Sequence, residues 1–125
     1  MKLEGNYYKL LDVEHKGDGA ATFHISLLPD CDIYHGHFPG NPVCPGVCNM
    51  QTVKECAEKL VGKQLQVASV RQCRLKAVAT PAQCSELDVK VSVEQQPGDD
   101  VRYTVVANIS DAQRVYMDYK GEMTV

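Results

Sequence analysis

One stretch of this chain, Gly46 to Val61, carries a helical period, and everything around it reads as strand or turn. Val47, Met50, Val53, Ala57, Leu60 and Val61 recur at spacings of three and four, which marks one buried helix face, and Gly62 supplies a stop. Ahead of it, Tyr7 to His15 reads as a strand that ends at Lys16-Gly17-Asp18-Gly19, a turn with two glycines. Ala21, Phe23, Ile25 and Leu27 then alternate with polar residues, the period-two mark of a strand with one buried face, and Pro29 ends it. Beyond the helix, strands are expected over Leu65 to Ala79, Glu86 to Glu94, Val101 to Ile109 and Arg114 to Val125. Turns at Gln96-Pro97-Gly98-Asp99 and at Asn108 to Gln113 join the last three. A helix that does not alternate with the strands excludes a βαβ fold. The expected class is therefore α+β: an antiparallel sheet wrapped around one central helix of about four turns.

With 125 residues there is room for one core, so the whole of 1–125 is read as a single domain. No apolar run approaches the ~20 residues that span a bilayer, and the N-terminus lacks the apolar core of a secretory signal. Those two readings place the protein in the cytoplasm, with no membrane insertion. A net charge of −3 with interspersed signs leaves no basic stripe for nucleic-acid phosphates. Arg71, Arg74 and Lys76 form a local basic cluster that an acidic partner could use, against the plainer reading of a solvated strand face. Six irregularly spaced cysteines, without a signal peptide, are expected to be reduced thiols. Cys44 and Cys48 near His35 and His37 invite a zinc reading, but no C-x-x-C pair or second ligand pair accompanies them, so no metal and no cofactor is expected.

From Asp30 to Pro45 the chain carries three prolines and two glycines around a His-rich centre, which makes an ordered loop and no regular element. Within it, His35-Gly36-His37-Phe38-Pro39-Gly40-Asn41-Pro42-Val43-Cys44-Pro45-Gly46-Val47 strongly resembles the signature of the β-hydroxyacyl-acyl-carrier-protein dehydratases, G-H-F-P-G-x-P-x-x-P-G-V. Arg74-Leu75-Lys76-Ala77-Val78-Ala79-Thr80-Pro81 is similar to that family's R-F-x-x-x-V-x-P segment, although Ala82-Gln83 stands where the family continues Gly-Asp. The resemblance runs from about Tyr7 to the C-terminus. It implies a hot-dog fold, a homodimer or higher oligomer with each site between two chains, a fatty-acyl or polyketide-type thioester on an acyl carrier protein or CoA as substrate, and His37 as the catalytic base. A lone subunit would also leave the apolar helix half covered, which again asks for a dimer.

The chemistry suits the residues. Prolines fix the path of the loop and glycines admit a close approach, so Phe38, Pro39, Gly40 and Pro45 are candidate substrate-binding residues. Gly46 and Val47 open a helix whose N–H groups and positive dipole end can stabilise the enolate-like oxygen of a thioester losing its α-proton. A histidine, with an ordinary pKa near ~6.5, can be a neutral base at cytosolic pH, and a dry pocket favours that form further. His35 reads as a solvent or packing residue. The family's helix carboxylate falls, by count from the motif, on Gln51, and an amide cannot shuttle a proton. Three readings follow. Gln51 orients the hydroxyl while His37 moves both protons, or another carboxylate, Glu55 or Asp32, reaches in, or the chain is a non-catalytic acyl-thioester-binding subunit of a mixed dimer. Glu55 would ordinarily be an exposed helix carboxylate. A hot-dog thioesterase is the remaining alternative.

Overall fold

A computed structural model describes every residue except Met1, Pro39, Asn41, Asp99 and Asp100. In chain order the elements are β1 (Tyr8–His15), β2 (Ala20–Leu27), α1 (Ile33–Gly36), α2 (Gly46–Val61), β3 (Gln66–Leu75), β4 (Glu86–Gln95), β5 (Arg102–Ser110) and β6 (Val115–Thr124). The strands form one sheet in the order β1-β2-β4-β5-β6-β3, and every neighbouring pair is antiparallel. The class and the strand count agree with the sequence reading.

α2 lies across β4, with β2 and β5 at its sides. The sheet's inner face supplies Phe23 and Ile25, Val89 and Val91, Val105 and Ile109, and Met117 and Met123, all buried. They are the inward members of the period-two patterns, and each fully buried aliphatic contributes about 1.5–3 kcal/mol of transfer free energy. α2 stops where Gly62, at φ 70°, takes the left-handed conformation and donates its N–H to the Glu58 carbonyl at 2.8 Å.

Three details differ from the sequence reading. Besides the central helix there is a short second one, α1, inside the breaker-rich loop: its four residues precede the prolines, so nothing blocks one turn. β3 ends at Leu75, and the chain to Glu86 is irregular, because Lys76 and Ala77 both donate to the single carbonyl of Tyr116 and the ladder stops there. The buried face of α2 is also rotated. It holds Cys48, Asn49, Thr52, Val53, Glu55, Cys56 and Ala57, while Val47 is 65% exposed. The rotation is possible because the polar members find partners: Asn49 Oδ1 accepts from the Tyr7 hydroxyl at 2.9 Å, and Thr52 Oγ1 donates to the Cys48 carbonyl at 2.9 Å. Of the expected stripe Val53 and Ala57 are buried, Met50, Leu60 and Val61 pack partly buried against the core, and Val47 alone is exposed.

Candidate functional site

His37 stands at the C-terminal end of α1 and is half-buried. Two hydrogen bonds join it to Val43 across the loop: the Val43 N–H donates to the His37 carbonyl at 3.1 Å, and the ring Nδ1 lies 3.1 Å from the Val43 carbonyl. A carbonyl only accepts, so Nδ1 carries the proton and Nε2 is left as the basic nitrogen. The ring stacks on Phe38, with centroids 4.3 Å apart, and Phe38 itself is largely exposed. Gly40 closes the tip of the loop at φ 72°, a conformation that suits glycine. Pro39 lies outside the described residues.

On the far side the loop is tied down by the Cys44 N–H, which donates to the Ala79 carbonyl at 2.8 Å. Behind it Tyr7 and Tyr34 pack with centroids 6.0 Å apart, and the Tyr34 hydroxyl lies 3.5 Å from Cys44 Sγ. Burial holds the Cys44 and Cys48 thiols above the usual range, so neither is a ready nucleophile at neutral pH. All six cysteines are free thiols, and among the described residues no three His, Cys, Asp or Glu side chains converge on a point where a metal would sit.

Pro45, in extended conformation at φ −65°, leads into α2, and no side chain caps the helix start. The first amides of α2, those of Gly46 and Val47, have no carbonyl one turn earlier within the helix to bond. Gly46 matters here for its size: a Cβ there would come 2.9 Å from Leu75 Cδ1, so glycine lets the end of β3 close against the start of α2.

Gln51 and Glu55 form a second constellation, one and two turns further along the helix. Glu55 is buried, not exposed. Its Oε2 accepts from the Leu3 N–H at 2.7 Å and from Gln51 Nε2 at 3.0 Å, and its Oε1 from the Glu4 N–H at 3.0 Å and the Tyr8 hydroxyl at 2.9 Å. The N-terminal segment folds down onto the helix, and Glu4 adds an ion pair with Lys59 at 3.0 Å. Burial, followed by the charges of Cys56 and Glu55, keeps the Tyr8 phenol protonated far above its ordinary range, which suits a donor. Leu3, Glu4 and Tyr8 have no signal in the sequence that links them to Glu55, because the partners lie some fifty residues away.

Among the hydrogen bonds of the described residues, Glu55 is not joined to His37. Gln51 and Glu55 line a groove of about 880 Å³ along α2 that runs past Lys54, Lys59 and Leu65 to Gln66, and none of the described motif-loop residues lines it. Asp32 is fully exposed at the start of α1, with His35 3.8 Å away. Of the basic cluster, Arg71 pairs with Glu122 at 2.9 Å and Lys76 with Asp118 at 2.8 Å, so two of its three charges are matched within the chain.

An antiparallel sheet packed on one long helix, with a histidine-bearing proline-glycine loop leading into that helix, is the architecture of a dehydratase-like hot-dog protein. A chain of the dehydratase heterocomplex ApeI:P from Xenorhabdus doucetiae has the same fold, with a TM-score of 0.74 over 94% of this chain and 97% of that one at 19% identity. The ApeI-like family, described as ApeI dehydratase, matches residues 13–118, and this chain belongs to it. It is also similar to 3-hydroxyacyl-[acyl-carrier-protein] dehydratase FabZ of Pediococcus pentosaceus, 27% identical over 73% of this chain and 68% of the relative. The likeness to FabZ of Lactiplantibacillus plantarum is 29% over 46% of this chain, and there the match spans only 44% of the relative's length.

Proposed function

We propose that the protein dehydrates a 3-hydroxyacyl thioester carried by an acyl carrier protein or CoA, in a site assembled from two copies of the chain. The observation that carries this reading is the hydrogen bond from His37 Nδ1 to the Val43 carbonyl, since it fixes the tautomer with Nε2 as base. Nε2 takes the α-proton, the amides of Gly46 and Val47 meet the oxygen that gains charge, and the imidazolium returns a proton to the departing β-hydroxyl, which leaves as water. Phe38, Gly40 and Pro45 shape the approach to that point, as Pro39 would from within the motif.

The second copy enters through β3. That edge strand is mostly exposed, and Val67, Val70 and Leu75 remain open on it, with Val47 at the adjoining helix start. Unpaired strand edges with apolar side chains favour pairing with another strand. An antiparallel β3–β3 pair would set the Leu75 end of one copy, which abuts Gly46, beside the Gln66 end of the other, which lines the groove. His37 of the partner subunit would then look toward Gln51.

One observation favours a second reading: Gln51 supplies no acid, and its neighbour Glu55 already accepts four hydrogen bonds. A mixed dimer in which this chain binds the acyl thioester and another supplies the carboxylate accounts for both facts. The Xenorhabdus structure is itself a dehydratase heterocomplex. Incubation of the pure protein with a 3-hydroxyacyl carrier-protein thioester, followed by mass spectrometry, tests the reading. Loss of water supports it, free acid would indicate a thioesterase, and unchanged substrate that nevertheless stays bound would favour the binding subunit.

A further inference from the structure

The end of β3 is held from two sides. Leu75 is the last member of the ladder, opposite Met117, and four residues on the Ala79 carbonyl accepts the Cys44 N–H at 2.8 Å, which ties the same stretch of chain to the motif loop. The Leu75 side chain stays out of the core. Its Cδ1, Cδ2 and Cγ lie 2.9, 3.5 and 3.7 Å from the point where a Cβ on residue 46 would stand, so the isobutyl group rests against the Cα that carries the first amide of α2. Among the described residues nothing accepts from the Gly46 or Val47 N–H, whereas the N–H groups of Cys48 and Asn49 both donate to the Pro45 carbonyl at 3.1 Å. Leu75 is nonetheless 62% exposed, and Val47 beside it 65%. Two open donors are thus bordered by hydrocarbon, which offers a water molecule no hydrogen bond.

We propose that Leu75 determines the reaction specificity of the site: it fills the space beside the Gly46 and Val47 amides and keeps water from the carbonyl carbon of a thioester held there. This rests on the reading in which those amides meet the thioester oxygen. The two donors would serve hydrolysis as well as dehydration, since both reactions put negative charge on that oxygen. In hydrolysis a water oxygen bonds to the carbonyl carbon, one of its protons passes to His37 Nε2, the carbon–sulfur bond breaks, and the proton is returned to the departing sulfur. Dehydration never attacks the carbonyl carbon. What separates the two outcomes is whether a water can stand over that carbon, and a branched hydrocarbon resting on Gly46 takes its place.

The test counts two products. The full chain and its variants are incubated with a 3-hydroxyacyl pantetheine thioester, enoyl thioester and free acid are separated by mass spectrometry, and light scattering and a melting curve follow the assembly and fold of each protein. The wild type is expected to release acid no faster than a protein-free blank. Leu75→Ala should release it about tenfold faster than wild type, the low end of what a small hydrocarbon group decides in an apolar site. Leu75→Met, of similar volume, should restore the low level, which a role in folding or assembly alone would not require. Adding His37→Ala to Leu75→Ala should remove both products. A wild type that makes acid as its main product, or a Leu75→Ala protein whose acid stays at the blank, overturns the proposal. If Leu75→Ala does not fold or assemble, Leu75→Val decides, since its shorter side chain must also raise the acid above the blank. Acid from Leu75→Ala with no enoyl product from either protein would sink the dehydratase reading and leave the role of Leu75 standing, whereas enoyl product from both without acid would do the reverse.

Discussion

The motif loop leads into the helix that carries the Glu55 node, yet the two are held in opposite ways. His37 is fixed by partners six residues away, through hydrogen bonds that close a short loop whose prolines already limit its path. Glu55 is fixed by Leu3, Glu4 and Tyr8, about fifty residues distant, which reach it only when β1 has joined the sheet and the N-terminus has folded back. A locally closed loop can lose a side chain and keep its shape. A node that joins distant segments cannot, since removing its acceptor takes away the partner of the Leu3 and Glu4 N–H groups and of the Tyr8 hydroxyl at once. Function should therefore be separable from folding at His37 and inseparable from it at Glu55.

His37→Ala breaks that comparison if it unfolds the protein. The expected result is a fall in dehydratase turnover of about 10²–10⁴-fold with an unchanged melting curve. Glu55→Ala is the counterpart: it leaves two backbone N–H groups and a phenol without their acceptor and should cost roughly 2–4 kcal/mol, read as a lower denaturation midpoint in urea. A midpoint within error of wild type would mean that the N-terminal segment is not held by this node.

Gln51→Glu sharpens the contrast, because it places a second carboxylate 3.0 Å from the first and one of the two must then hold a proton. Turnover should rise at least tenfold, as a general acid is worth about 10²–10⁴ where none acted before. No change in rate would argue that the acid comes from a partner chain. Val70→Asp on the exposed edge should convert a homodimer to monomer in light scattering and abolish turnover, while a stable wild-type monomer at micromolar concentration would remove the two-copy site altogether.

The smallest expected effect concerns pH. Glu122 accepts from Gln96 at 2.8 Å and from Arg71 at 2.9 Å, and these partners, Gln96 first, hold its carboxyl below the usual range, with Arg102 3.2 Å away. A carboxyl depressed in the folded state contributes stability above its unfolded pKa, and that contribution is lost as pH falls through the folded value. Glu122→Gln should therefore lower stability slightly at neutral pH and flatten the acid limb of the stability curve. An acid limb identical to wild type would show that the cluster joining β3, β5 and β6 is not a stabilising one.

Much of this was legible in the sequence, and the reason is local. Period-two alternation gave Phe23, Ile25, Val89 and Val105 their inward face, and the breaker spacing gave the loop around His37 and the start of α2. What failed to show was whatever depends on a distant partner. The polar part of the buried α2 face went unread because Asn49, Thr52 and Glu55 look like surface residues until Tyr7, Cys48 and the N-terminal amides satisfy them, and only then does burying them cost little. Secondary structure and the loop follow from short-range sterics and hydrogen bonds that a sequence carries in order. The pairing of Glu55 with Leu3, Glu4 and Tyr8, the direction in which Gln51 points, and the bare edge of β3 exist only once the sheet has closed over the helix, since that closure brings together residues no sequence neighbourhood contains.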